Sequence, residues 1–138
     1  MVDLVITAAD VATADGGVVE HGTAGASITA GQVVYLDEVT TGRYLLADTD
    51  SVTAAVRKPR GIALNSASDG QPLAIHKSGP LTIGAVVAAG VAYYLSGTPG
   101  GICPVADVAP GDYPSIIGMG ISTTQINVSI QAPNVVLV

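Results

Sequence analysis

The chain is predicted to be all-β, a sandwich or barrel, on three observations. Its 17 Gly and 8 Pro are scattered along 138 residues rather than gathered into a linker. They separate short runs rich in Val, Ile, Leu and Tyr, at spacings of roughly 8–12 residues, as in sandwiches and barrels. Helical signals are weak. Ala85–Ala92 is rich in Ala but carries Val86, Val87 and Gly90, and Thr7–Ala14 is stopped at once by Asp15-Gly16-Gly17, so at most one short helix is expected.

Taken in order, the elements begin with Met1–Gly25, which has acids at Asp3, Asp10, Asp15 and Glu20, no Lys or Arg, and only weak alternation. This segment is expected to be an extended N-terminal arm, with the β-domain over 26–138. Val2, Leu4, Val5 and Ile6 are apolar, and Gly16-Gly17 separates them from any continuous element with the rest. Apolar residues in such a terminus stay exposed unless a partner covers them. They are therefore candidates for contact outside the domain. Strands are placed at Gln32–Leu36, Arg43–Ala47, Gly61–Leu64, Leu73–His76, Leu81–Val86, Ala92–Leu95, Ile102–Val105, Pro114–Ile121 and Gln125–Gln131. In the last, Ile126, Val128 and Ile130 alternate with Gln125, Asn127, Ser129 and Gln131, the period of a strand with one buried and one wet face.

The chain also resembles itself at an offset of 59 residues. Gly31-Gln-Val-Val-Tyr35-Leu36 lies over Gly90-Val-Ala-Tyr-Tyr94-Leu95, Gly42 over Gly101, and Ala47-Asp48 over Ala106-Asp107. After a two-residue shift Gly61-Ile-Ala-Leu64 lies over Gly118-Met-Gly-Ile121. The expectation is two related β-units, about 26–84 and 85–138, each too small to bury its own face alone. Tyr35 and Tyr94 sit at matched positions inside apolar runs and are read as core, which leaves Tyr44, Tyr93 and Tyr113 for a surface.

Composition excludes several classes. Apolar residues make up 49% of the chain but aromatics only 4%, with no Trp or Phe. A core of small aliphatics is thin, since each buries little area, so burial against a partner chain is expected. A chain with 12% charged residues and mean hydropathy +0.53 is not disordered. The longest apolar stretch, Ala85 to Leu95, is too short to span a bilayer, and no basic n-region marks a signal peptide. The net charge of −6 argues against nucleic acid.

No catalytic or metal constellation is expected. The two histidines, His21 and His76, belong to no paired metal spacing. His76 closes the alternating Leu73-Ala-Ile-His run and reads as a histidine on a wet strand face. Cys103, alone and between Ile102 and Pro104, reads as a buried thiol without a disulfide partner. Gly97-Thr-Pro-Gly-Gly101 lacks the Lys of a phosphate-binding loop and reads as a hairpin turn, and no nucleophile elbow surrounds any serine. Asp48-Thr-Asp50 lacks the rest of a calcium loop, and the Asn127-Val-Ser129 sequon has no secretory signal to give it use. No cofactor is implied. Arg57, Lys58 and Arg60, three of only five cations, gather around Pro59 and form a candidate contact with an acidic surface.

Several of these runs resemble the small capsid decoration, or cement, proteins of tailed bacteriophages. They are Gly31-Gln-Val-Val-Tyr-Leu36, Leu46-Ala-Asp48, Gly61-Ile-Ala-Leu-Asn65, Ala67-Ser-Asp-Gly-Gln71, Ser78-Gly79, Ala92-Tyr-Tyr-Leu-Ser96, Gly100-Gly-Ile102, Pro104-Val-Ala-Asp107 and Gly118-Met-Gly120. The resemblance covers roughly Ala26 to Gln131. It implies a β-rich domain without catalysis, often a homotrimer, bound to the major capsid protein on the outside of the virion and made in the host cytoplasm. A second function class fits the same residues, a phage fibre or knob module that binds host-surface carbohydrate. On either reading the chain is not an enzyme and binds neither nucleic acid nor membrane. The candidate capsid contacts are Val2, Leu4, Val5 and Ile6 together with Arg57, Lys58 and Arg60.

Overall fold

A computed structural model describes residues 3–14 and 16–137. Over these residues the fold is all-β, a curled antiparallel sheet resembling half a barrel. The strands are β1 (Ala12–Thr13), β2 (Val18–Thr23), β3 (Val33–Leu36), β4 (Tyr44–Leu46), β5 (Gly61–Ala63), β6 (Pro72–Thr82), β7 (Ala92–Leu95), β8 (Ile102–Pro104), β9 (Ile116–Gly120) and β10 (Gln125–Gln131). Single 3₁₀ turns span Ala8–Asp10, Ala54–Arg57 and Val105–Asp107. No helix among the described residues is long and apolar enough to cross a membrane.

The hydrogen-bonded path runs β4-β3-β5-β6-β10-β9-β7-β8. In each half the first strand of a trio lies between the other two: β3 between β4 and β5, β7 between β8 and β9. Val34 pairs with Gly61, and Tyr93 pairs with Gly118, so these backbone pairings recur at the positions the sequence match aligns. The side chains do not follow. Val33 and Tyr35 enter the main core from β3, whereas Tyr93 and Leu95 enter it from β7. A one-residue change of phase turns every side chain of a strand to the other face. Tyr94, read as core, is therefore half-buried, and Tyr93, read as available, is buried. Tyr44 is buried too.

β6 is the long strand around which the rest is arranged. The sequence predicts two strands here, Leu73–His76 and Leu81–Val86, but a single strand runs from Pro72 to Thr82. Gly79 takes φ 87°, a conformation L residues with a side chain rarely adopt, and just before it the pairing with β2 shifts register, with Lys77 the extra residue between the partners of Val18 and Val19. Such a bulge inserts one extra residue and reverses the alternation. Leu73 and Ile75 consequently face one core, and Leu81 and Ile83 the other.

Two cores result. The larger holds Ile62, Leu81, Ile83, Leu95, Ile102, Ile117 and Ile126, all fully buried, with Tyr35 and Tyr93. The smaller holds Ala24, Ile28, Val34, Tyr44, Ala63, Leu73 and Ile75. β3 and β5 serve both, so they are buried on both faces and read as continuous apolar runs. Isoleucine and leucine are concentrated inside, which makes the core more substantial than the Ala/Val-rich composition implies.

The arm expected over Met1–Gly25 does not project over its described residues. β1 and β2 pair along the edge of β6 that β5 and β10 leave open. An unpaired edge exposes a row of N–H and C=O groups, and pairing satisfies them. Beyond β2, Ala24 bridges Tyr44, and the Gly25 N–H donates to the Tyr44 carbonyl at 2.8 Å. The pairings β4-β3-β5-β6-β2 thus return to β4 and enclose the smaller core. Short loops fold the two ends of the sheet together: the Gly100 N–H donates to Ala47 O at 2.7 Å, and the Val33 N–H to Gly100 O at 2.9 Å.

Candidate interaction surfaces

The apolar residues before Asp10 are held by the domain. The Leu4 N–H donates to Ile102 O and the Thr7 N–H to Gly84 O, both at 2.8 Å, and Leu4 and Ile6 pack against the larger core. Both are half-buried there. Val2 lies outside the described residues. Val5, which points away from the core between them, is 89% exposed. It shares an open groove of about 560 Å³ with Val86, 84% exposed, and with Thr7, Thr82, Ala85 and Thr124; Asp10 is the one charged residue of the lining. Val86 was read at the end of a strand. It lies instead in the loop after β6, which leaves it without sheet neighbours.

The three clustered cations do not form one positive patch. The Arg57 guanidinium lies 3.5 Å from the centroid of the Tyr113 ring and donates to Asn134 Oδ1 and Ser51 O, both at 3.1 Å. These contacts satisfy it within the domain. Arg60 donates from Nε and Nη2 to the two carboxylate oxygens of Glu20, each at 3.2 Å, and lies 3.7 Å from Glu38. Lys58 alone is exposed, and among the described residues no carboxylate lies within salt-bridge distance of its ammonium. Lys58 and Arg60 line a cleft of about 410 Å³ opposite Asp37, Glu38 and Val39.

Glu20 is the residue sequence reasoning missed here. The Tyr44 hydroxyl donates to it at 2.6 Å beside the Arg60 pair, so one carboxylate joins β2, β4 and the entry to β5. Arg60 and Tyr44 together hold the Glu20 carboxyl below its ordinary value. Burial, and then the bond to Glu20, push the Tyr44 hydroxyl up. Nothing local in the sequence marks the arrangement, because Arg60 lies 40 residues from its partner.

Three further groups lie inside the fold. His76, expected on a wet face, is fully buried. Nε2 lies 2.9 Å from Gly79 O and Nδ1 3.1 Å from the Thr13 hydroxyl; a carbonyl only accepts, so Nε2–H donates to it. The ring thus ties the bulge of β6 to β1. Cys103 is buried, and burial pushes its thiol up to about 11, away from the reactive thiolate. Asp48 is pushed up to about 6 by burial and by its hydrogen bond with Asp50, with Asp112 adding like charge. Among the described residues no group of three or more His, Cys, Asp or Glu is placed to hold a metal ion. No family model matches the chain, and no curated protein matches it.

Proposed function

We propose that the chain is a structural decoration protein of a tailed-phage head, which binds the major capsid protein on the outer surface and stiffens the shell, assembling as a homotrimer. The observation that carries this reading is the groove at Val5 and Val86. Two aliphatic side chains stand almost wholly in water on a platform tied by backbone hydrogen bonds to β6 and β8. Apolar side chains grouped on a rigid surface fit a protein partner. The runs that resemble decoration proteins also fall on the frame of the fold. Gly31–Leu36 leads into and forms β3, Ala92–Ser96 forms β7, Gly118–Gly120 ends β9, and Ala67–Gln71 is the turn between β5 and β6.

The carbohydrate-binding alternative wants an exposed aromatic face. Tyr35, Tyr44 and Tyr93 are buried, and Arg57 covers the Tyr113 ring. Tyr94 is left, which is a poor platform for a sugar.

Cosedimentation with purified heads lacking a decoration protein tests the proposal. The chain is expected to pellet with heads in saturable fashion, and V5D and V86D to lose at least roughly tenfold in affinity, since a charge buried without a partner in a contact is costly. A chain that stays in the supernatant, or variants that bind as tightly as wild type, would contradict it.

A further inference from the structure

The second cleft, between the turn at 37–42 and the segment 54–60, has a different chemistry. The turn is firmly built. Asp37 Oδ1 accepts from the Thr40 N–H and Oδ2 from the Thr41 hydroxyl, each at 3.2 Å. The Gly42 N–H donates to Asp37 O at 2.7 Å and the Asp37 N–H to Arg43 O at 2.9 Å. At its apex Val39 is 92% exposed. The position is held, so the exposed valine is presented rather than left on a loose loop.

The charges on the two walls are unequally committed. Arg60 is taken up by Glu20, whose two oxygens it meets at 3.2 Å. Glu38 has a side chain 70% exposed, and its one ion pair among the described residues is the 3.7 Å contact with Arg60. Lys58 lines the same cleft and has no ion pair among the described residues. The cleft therefore carries an unpaired cation among the described residues, an anion held only by the long 3.7 Å contact with Arg60, and an exposed aliphatic residue. A surface with both signs around an apolar centre is complementary to itself.

We propose that this cleft is where copies of the chain meet, with Lys58 of one copy against Glu38 of the next and the Val39 side chains packed between them. The inference rests on the decoration reading only for the expectation that the chain assembles. A second copy fits this cleft because its lining carries both signs of charge, Lys58 and Arg60 with Asp37 and Glu38. At net −6 two copies repel at long range, so association needs a local contact of opposite sign, and this cleft supplies both halves of one. Opposed charges also set the register in which two like surfaces dock. A ring of copies uses each Lys58 and each Glu38 once.

Charge reversal with sedimentation velocity is the test, run on the full chain at micromolar concentration in low salt. Wild type is expected to sediment as a closed oligomer of the 13.7 kDa chain. K58E and E38K should each weaken association by at least roughly tenfold, as truncating interfacial charge pairs does. The double variant E38K/K58E should recover most of it, and V39D should dissociate in either charge background. Lys58, Glu38 and Val39 are all exposed, so folding is preserved, and circular dichroism checks that it is. A wild-type monomer, single reversals that assemble like wild type, or a double variant no better than the singles would overturn the proposal. So would reversals that abolish head binding while leaving the oligomer intact, because the cleft would then meet the shell. Head binding measured on the same samples separates the two readings. Oligomers that obey the charge reversals but ignore heads remove the decoration reading alone, and heads bound by an oligomer indifferent to the reversals remove this cleft alone.

Discussion

Glu20 accepts from the Tyr44 hydroxyl at 2.6 Å and from two nitrogens of Arg60 at 3.2 Å, so segments distant in the chain meet at one carboxylate. Replacing it by Gln keeps the shape but removes the charge from the pairing, and E20Q is expected to lower stability by roughly 1–2 kcal/mol, discounted for the partial exposure of both side chains. Urea unfolding at pH 7 measures it. The sign of the pH effect follows from the direction of the shift. The folded-state value of Glu20 lies below the ordinary 4.5, so its contribution is present above that value and is lost as pH falls through the lower, folded one. E20Q should flatten the acid limb of the stability curve. Asp48 acts in the opposite sense. Its folded value of about 6 lies above the ordinary 3.8, so the folded state binds more protons than the unfolded between those two, and stability falls as pH rises through that window. D48N should abolish this fall and unfold at higher urea than wild type at pH 7. Equal pH profiles for D48N and wild type would refute the assignment. Neither site was legible in the sequence, because each depends on burial and on neighbours brought close by the fold.

At the scale of elements, β6 organises the molecule because its two edges are filled in turn by β5, β10, β1 and β2. The strand β10 was legible from strict alternation, and β3 and β7 from compact aliphatic-tyrosine runs. β2 was not. Val18-Val19-Glu20-His21-Gly22-Thr23 alternates poorly, since Glu20 turns to Arg60 and Gly22 is the residue over which the Tyr44 ring lies; a Cβ there would strike the ring. The gap expected between Leu73–His76 and Leu81–Val86 is instead a bulge at Lys77, which bends a strand without ending it. Two predictions belong here. Removing residues 1–23 takes away the strand that closes the smaller core, so the truncated chain is expected to unfold or to expose that core to a hydrophobic dye. A truncated chain with wild-type circular dichroism and melting would show that the segment is a dispensable arm. G79A places a Cβ against the Gly16 carbonyl at a positive φ and should cost about 1–3 kcal/mol in thermal or urea unfolding.

For the whole molecule, the distribution of aliphatic residues decides the argument. Isoleucine and leucine fill the two cores, while Val5, Val39, Val52 and Val86 stand in water. The apolar count was legible in the sequence, but which valines lie inside was not, since the phase of each strand sets it. Val5 and Val86 come together because the N-terminal segment docks beside the loop after β6, a neighbourhood no local pattern announces. The cation cluster was legible as a cluster and misread as a patch, because Tyr113, Asn134, Glu20 and Glu38 draw Arg57 and Arg60 away from solvent. An electron cryomicroscopy reconstruction of the virion that carries this chain tests the central claim most directly. The account predicts its density on the outside of the head at three-fold or quasi-three-fold positions, with Val5 and Val86 turned to the shell. Density confined to a tail fibre, or heads with none, would contradict it.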